Sequence, residues 1–456
     1  MGRTRRIRSQ KARHFRTCGA ESELILLNSW LANEGMLYNN KLTLAVFENT
    51  GRGVLTKKKI NPGEELMNLP LNLTINVTSI LMDSTFCSIF LNNDKNCLIE
   101  HKHTISFQSL MAFYLTFLHA QGSKSKWFVY LESLPKEYTV PYFLPDETKL
   151  YVDADILTVV AKQEDIIKTS FHIFEDVLSY CTSSQIDVIN IKDFFCQSKY
   201  EWAYFTVNTR CVYMDLDKVV DLKNIENSVL NLITDNTKIS LCPFLDMINH
   251  SPYAKNETKL MVSKDIENIS INKLSQNLFT DVRFSIYTKN TFDPYTEVFI
   301  CYGDSHNLKL ITEYGFCLPN NDLDYVAFEF EDLVSFLTSK HIKLSQEQIA
   351  FINSHNLSKD LYIDLKGLSF NLYAVLMVVK YYYERDKDVS RLIYSAAICS
   401  NDSDLNNLIM PMIETKLNLI KESITKLKTY ESNIILNNCI SLMCQYVRIL
   451  EKFIKC

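Results

Sequence analysis

At 456 residues the chain is longer than one hydrophobic core usually serves, so two domains are the expectation. Hydrophobic residues at 47% and charged residues at 22% exclude a disordered chain, and a net charge of -5 excludes a general affinity for nucleic acid, which rests on many Lys and Arg contacts to phosphate. Thirteen cysteines without one CxxC pair give neither a disulfide framework nor a zinc cluster, and fit small buried hydrophobes of a reducing compartment.

Arg3, Arg5, Arg6, Arg8, Lys11, Arg13 and Arg16 crowd the N-terminus without an acid. Such a run stays solvated, so residues 1–20 read as a basic disordered arm, either a nuclear-import or polyanion-contacting tail or only a solubilising one. No apolar leader segment follows, so secretion is not expected. The uncharged runs 104–123 and 367–379 are, respectively, interrupted by polar residues and too short to cross a bilayer. A soluble intracellular protein is the expectation.

Leu24, Leu27 and Leu31 recur at helical spacing over residues 21–34. Residues 42–47 alternate as a strand, and Asn49-Thr50-Gly51-Arg52-Gly53 turns into a second one at Val54-Leu55. Two glycines around one arginine let the backbone turn and let a ligand approach main-chain atoms, although a lone GxG is often only a hairpin. Asn61-Pro62-Gly63-Glu64 is a turn, and residues 65–69 form a further strand ending at Pro70. Helical periodicity then dominates residues 76–200. Residues 109–120 predict a buried helix, Trp127-Phe128-Val129-Tyr130 places aromatics near a chain reversal, and residues 162–181 predict an amphipathic helix. Residues 202–210 predict a helix whose last residue, Arg210, is a cation at the negative pole.

The stretch Leu241-Cys242-Pro243-Phe244-Leu245-Asp246-Met247-Ile248-Asn249-His250-Ser251 sets Asp246, Asn249 and His250 among residues apolar enough to be buried. An unpaired buried polar group costs roughly 2–7 kcal/mol, so these groups bond either to nearby backbone or to a ligand. Residues 253–281 are polar and predict a loop or hairpin. A hairpin around Asn290-Thr291-Phe292-Asp293-Pro294 leads into Val298-Phe299-Ile300-Cys301-Tyr302-Gly303, with Tyr302 read as a strand residue. Glu313-Tyr314-Gly315-Phe316 follows. From Asp322 onward the pattern is helical, with a helix over residues 367–385 and apolar stripes along 417–427 and 436–454.

The Asn249-His250 and Tyr302-Gly303 segments, with Gly51-x-Gly53, Ile60-x-x-Gly63-Glu64 and Pro70 ahead of them, resemble the signature of the SET-domain protein methyltransferases. In that family an Asn-His segment and a Tyr segment cross to build the active site. The helical block with Trp127-x-x-Tyr130 and Leu134-Pro135 resembles the insertion of the subgroup related to Rubisco large-subunit methyltransferase. The resemblance implies an α+β fold: a SET-domain β-fold of small sheets, a helical insertion, then an all-α C-terminal domain. It sets the SET domain at 21–75 and 201–320, the insertion at 76–200, and a helical substrate-binding domain at 321–456. It implies S-adenosylmethionine as cofactor and no metal.

By the same resemblance, Tyr302 is the catalytic tyrosine, with Tyr314 as the second phenol. Thr50, Gly51, Arg52, Gly53, Arg210, Asn249, His250 and Tyr302 hold the cofactor. Asp246, Tyr314 and Phe316 face the substrate, although capping of local backbone serves Asp246 equally well. The expected reaction is in-line methyl transfer to a neutral lysine amine in a tyrosine-lined channel, on histone H3 or H4 or other proteins, by a monomer of cytoplasm and nucleus. Neither a membrane nor nucleic acid is expected as partner beyond the basic arm. Two rivals stand: a protein-histidine methyltransferase of the same fold, and a non-catalytic peptide-binding SET protein.

Overall fold

The N-terminal strands pair into two small sheets, and the computed structural model describes residues 15–17, 21–217, 219–221, 228–262, 269–270, 282–385, 388–394 and 403–455. Two units emerge: residues Met1–Tyr138 with Glu164–Asp304, and residues Thr139–Gln163 with Ser305–Cys456. In the first unit the strands of the two larger sheets are β1 (Phe15–Thr17), β2 (Leu37–Tyr38), β3 (Leu42–Phe47), β4 (Gly51–Thr56), β5 (Glu65–Pro70), β6 (Asn249–His250), β7 (Asn256–Met261), β8 (Arg283–Thr288) and β9 (Glu297–Ile300). One sheet runs β1-β3-β4-β9-β6 and the other β7-β8-β5-β2. Phe15–Thr17 pairs with Ala45–Phe47, so regular structure reaches into the stretch that the charge pattern marks as a solvated arm. The remainder of that arm, residues 1–14 and 18–20, lies outside the described residues, as do 263–268 and 271–281 of the polar stretch.

The strand β3 forms where alternation places Leu42 and Leu44 inward, and Gly51-Arg52-Gly53 returns the chain beside it with Ala45 opposite Gly53. The helix Ser22–Asn33 buries Leu24, Leu27 and Leu31 on one face. The helix Phe107–Ala120 starts at the Ser106 cap, whose hydroxyl accepts from the Ser109 N–H at 3.1 Å, and is buried almost all round. Its Phe113 stacks on Phe174 with ring centroids 4.2 Å apart, and Phe86 and Tyr200 fill in around the pair. Each such ring contributes about 1.5–3 kcal/mol by leaving water.

In the second unit the long helices Ser403–Leu427 and Ile434–Lys455 pack on each other over Ile409, Ile413, Leu442, Met443 and Ile449. A three-stranded sheet of β10 (Tyr325–Ala327), β11 (Tyr362–Asp364) and β12 (Gly367–Leu368) joins them, which a helical reading of this region did not anticipate. The helix expected over 367–385 therefore starts later, at Phe370–Tyr381, because Gly367 and Leu368 complete the hairpin and Ser369 caps the helix. The helix expected from residue 162 starts earlier and spans Ala154–Tyr180. Its first turns bury Ile156 and Val160 in the second unit's core.

Among the described residues, no helix is long and apolar enough to cross a membrane, and no group of three or more His, Cys, Asp or Glu is placed to hold a metal ion.

Candidate active site

The first unit brings Asn249-His250 and the start of the Tyr302 segment side by side. Strands β6 and β9 pair in parallel, Asn249 opposite Phe299 and His250 opposite Ile300. The pairing follows from burial of Ile248 and Ile300, which leaves Asn249 half-buried on the sheet. Tyr302 lies two residues past the end of β9, not on the strand as expected. Its backbone N–H donates to His250 Nδ1 at 3.0 Å, and its hydroxyl donates to the Ile248 carbonyl at 2.7 Å. The Cys301 N–H beside it is taken by Asn256 Oδ1 at 2.8 Å. Gly303 then turns at φ 120, in the left-handed half of the map where a side chain is strained.

An imidazole nitrogen that accepts a backbone N–H carries no proton, so the neutral His250 has its proton on Nε2. Burial lowers the His250 pKa and favours that neutral form. The rings of His250 and Tyr302 lie 5.1 Å apart between centroids.

The glycine-rich turn meets the same place. Asn249 Nδ2 donates to the Arg52 carbonyl at 2.9 Å and to Glu297 Oε1 at 2.7 Å, and it lies 3.5 Å from the Thr50 carbonyl. The Thr50 hydroxyl sits 2.9 and 2.8 Å from the two Glu297 oxygens. Gly51 takes φ 71, and a Cβ at Gly53 would lie 2.6 Å from Glu297 Oε1 and 2.8 Å from Asn249 Nδ2. The glycine is required by that approach. The Arg52 guanidinium is engaged elsewhere, with Nε 2.9 Å from a Glu21 carboxylate oxygen and Nη1 donating to the Ser133 carbonyl at 3.0 Å.

Asp246 and Arg210 bond to each other. The Asp246 side chain is 0% exposed, and Oδ2 accepts from Arg210 Nη1 at 3.1 Å and from the Tyr130 hydroxyl at 3.0 Å. Arg210 also donates to the Asp246 carbonyl at 3.0 Å. Burial pushes the Asp246 carboxyl up, and the guanidinium opposes it. The pair therefore fixes the end of the helix Gln197–Arg210 against the segment that leads to Asn249. Asp246 Oδ1 and Arg210 Nε are buried without protein partners.

Tyr314 and Phe316 belong to the second unit. Tyr314 ends a π-helical turn, Leu310–Tyr314, and Gly315 follows in the left-handed region at φ 76. The Gly315 carbonyl accepts from Thr139 Oγ1 at 3.0 Å and Asn438 Nδ2 at 2.7 Å, and the Tyr314 and Phe316 rings lie 6.2 Å apart.

Sequence reasoning missed Glu297 and Tyr130. Strand alternation was a usable signal for Glu297, because Val298 and Ile300 are buried and positions 297 and 299 share the other face. The Trp127-x-x-Tyr130 pattern places Tyr130 near a chain reversal, and its phenol carries no sequence signal for Asp246.

This is the SET-domain methyltransferase fold, with small sheets, helical content inserted between them and a helical C-terminal region. Among solved structures, the SET domain of LSMT bound to lysine and AdoHcy matches with a TM-score of 0.60 and 15% identity, covering 95% of this chain and 90% of that one. The chain is 27% identical over 369 residues to SET domain-containing protein 4 of Artemia parthenogenetica, covering 81% of each. It is 26% identical over 346 residues to ribosomal lysine N-methyltransferase set11 of Schizosaccharomyces pombe, covering 75% of this chain and 71% of the relative. No family model matches the chain.

Proposed function

We propose that the chain is an S-adenosylmethionine-dependent protein-lysine N-methyltransferase. The Tyr302 phenol carries this reading. Its hydroxyl donates to the Ile248 carbonyl at 2.7 Å, which fixes the phenol oxygen next to the Asn249-His250 segment. The similarity to a ribosomal lysine N-methyltransferase and to an LSMT structure holding lysine and AdoHcy supports it.

The residues present fit the amino-acid end of the cofactor. Among the described residues no donor is bonded to Asn249 Oδ1, which leaves an amide oxygen for an ammonium group. Gly53 keeps the space beside that amide clear of a Cβ. Thr50, Gly51, Arg52, Gly53, Asn249 and His250 would hold the cofactor, which supplies an electrophilic methyl group on sulfur when bound. The chain's own residues orient and polarise. Neutral His250 adds no positive charge against an approaching amine, and the Tyr302 oxygen can accept weak C–H or N–H contacts there. The acceptor must be a neutral amine, which for a lysine at neutral pH lies about 4–5 kcal/mol above its ammonium form. Holding that amine in line is the remaining task, and orientation can supply roughly 7–11 kcal/mol of such a barrier.

Ribosomal proteins are the first acceptors to test and histone tails the second, in cytoplasm and nucleus respectively. The experiment is label transfer from S-adenosylmethionine to ribosomal and histone fractions, with acid hydrolysis to separate methyl-lysine from methyl-histidine. Tyr302→Phe is expected to lower kcat about 100-fold, as loss of one preorganised polar group does, with cofactor binding kept. A folded wild-type protein that binds no S-adenosylhomocysteine overturns the reading, and label found only on histidine moves it to the other acceptor.

A further inference from the structure

We propose that Glu297 is a positioning residue of the cofactor site, locking the Asn249 amide in the one orientation that leaves Oδ1 free for the cofactor's ammonium. The inference rests on the methyltransferase reading above.

An ionised carboxylate only accepts hydrogen bonds, so the Asn249 atom 2.7 Å from Glu297 Oε1 has to be the nitrogen. The Arg52 carbonyl at 2.9 Å imposes the same choice from the strand side. A flipped amide would set its oxygen against two acceptors and lose both bonds. Thr50 in turn orients the carboxylate through its hydroxyl, so the glycine turn, Glu297 and Asn249 form one connected set. Gly53 makes the set possible, because a Cβ there would strike both Glu297 and Asn249.

The charge of Glu297 argues for function as well. Among the described residues no Lys or Arg forms an ion pair with it, although it is half-buried and burial pushes its pKa up. A neutral side chain would fill the position at lower cost. A carboxylate held against the Asn249 amide nitrogen makes the neighbourhood favourable to a cation, and the amino-acid end of the cofactor carries one.

The test measures binding of S-adenosylhomocysteine and of methylthioadenosine, which lacks the amino-acid end, by calorimetry on the whole protein. Glu297→Ala is expected to weaken S-adenosylhomocysteine about 10- to 100-fold, the usual size for a charge-assisted bond, and methylthioadenosine less than about threefold. Glu297→Gln can still accept from Asn249 through its own amide oxygen but lacks the charge, so it is expected to recover part of the loss. KM for S-adenosylmethionine should follow the binding change, with kcat at saturation within about threefold. Equal weakening of both ligands, or no weakening of either, overturns the positioning role. Should Glu297→Ala fail to fold, the Gln variant and Thr50→Val carry the same comparison, and Thr50→Val is expected to lower the preference for the intact amino-acid end. A wild-type protein that binds neither ligand would instead overturn the methyltransferase reading itself.

Discussion

His250 is placed so that its protonation state sets the geometry around Tyr302. Its Nδ1 accepts the Tyr302 N–H at 3.0 Å, and a proton on that nitrogen would put two N–H groups face to face. Burial lowers its pKa, so the folded state disfavours the imidazolium that the unfolded chain accepts near an ordinary pKa of about 6.5. Below that value the unfolded state binds more protons, so the His250 contribution to stability is present above it and is lost as the pH falls through the folded pKa. Thermal stability is expected to fall on acidification below about pH 6.5, and methyl transfer at the lower pH where the folded His250 takes up its proton, with the ring titrating by NMR below the free imidazole value. An unchanged His250 pKa would remove the link. The residue scale is also where the sequence was most and least informative. Asn249 and His250 stood out because polar groups among Phe244, Leu245, Met247 and Ile248 need a reason. Glu297 did not, because one acid at the start of a strand looks like an ordinary solvated charge until register brings it to Asn249.

At the scale of elements, periodicity located most of the fold. The strand over 42–47 and the helices at the C-terminus follow their hydrophobic spacing closely, since burial of one face decides both. Ends were harder, because caps and hairpins set them. The helix Phe370–Tyr381 shows why: Ser369 is buried, accepts from the Tyr362 N–H at 3.1 Å and the Leu372 N–H at 3.2 Å, and donates to the Asp360 carbonyl at 2.8 Å. One hydroxyl thus ends a hairpin and starts a helix, where an apolar run had read as helix throughout. Ser369→Ala is expected to cost about 1–2 kcal/mol, the range for a lost N-cap. In urea unfolding this appears as a lower midpoint with an unchanged slope. A shift under about 0.3 kcal/mol would show that the cap is dispensable.

At the scale of the whole molecule, the chain order does not match the units it builds. Residues 139–163 leave the first unit and contribute Leu144, Val152, Ile156 and Val160 to a core otherwise made by residues 305–456. Sequence reading assigned this stretch to the helical insertion, since its apolar spacing says helix and says nothing of which core the helix fills. Removing four core side chains at about 1.5–3 kcal/mol each takes away a sum comparable with the roughly 5–15 kcal/mol that holds a typical domain together. A fragment of residues 305–456 is therefore expected to lack fixed tertiary packing, with weak near-ultraviolet dichroism and dye binding to exposed apolar surface. Supplying residues 139–163 as a separate peptide should restore packing and give a saturable binding heat. A fragment that packs without the peptide would show that the Ser403–Leu427 and Ile434–Lys455 pair is sufficient, and that the inserted segment only rests on a finished core.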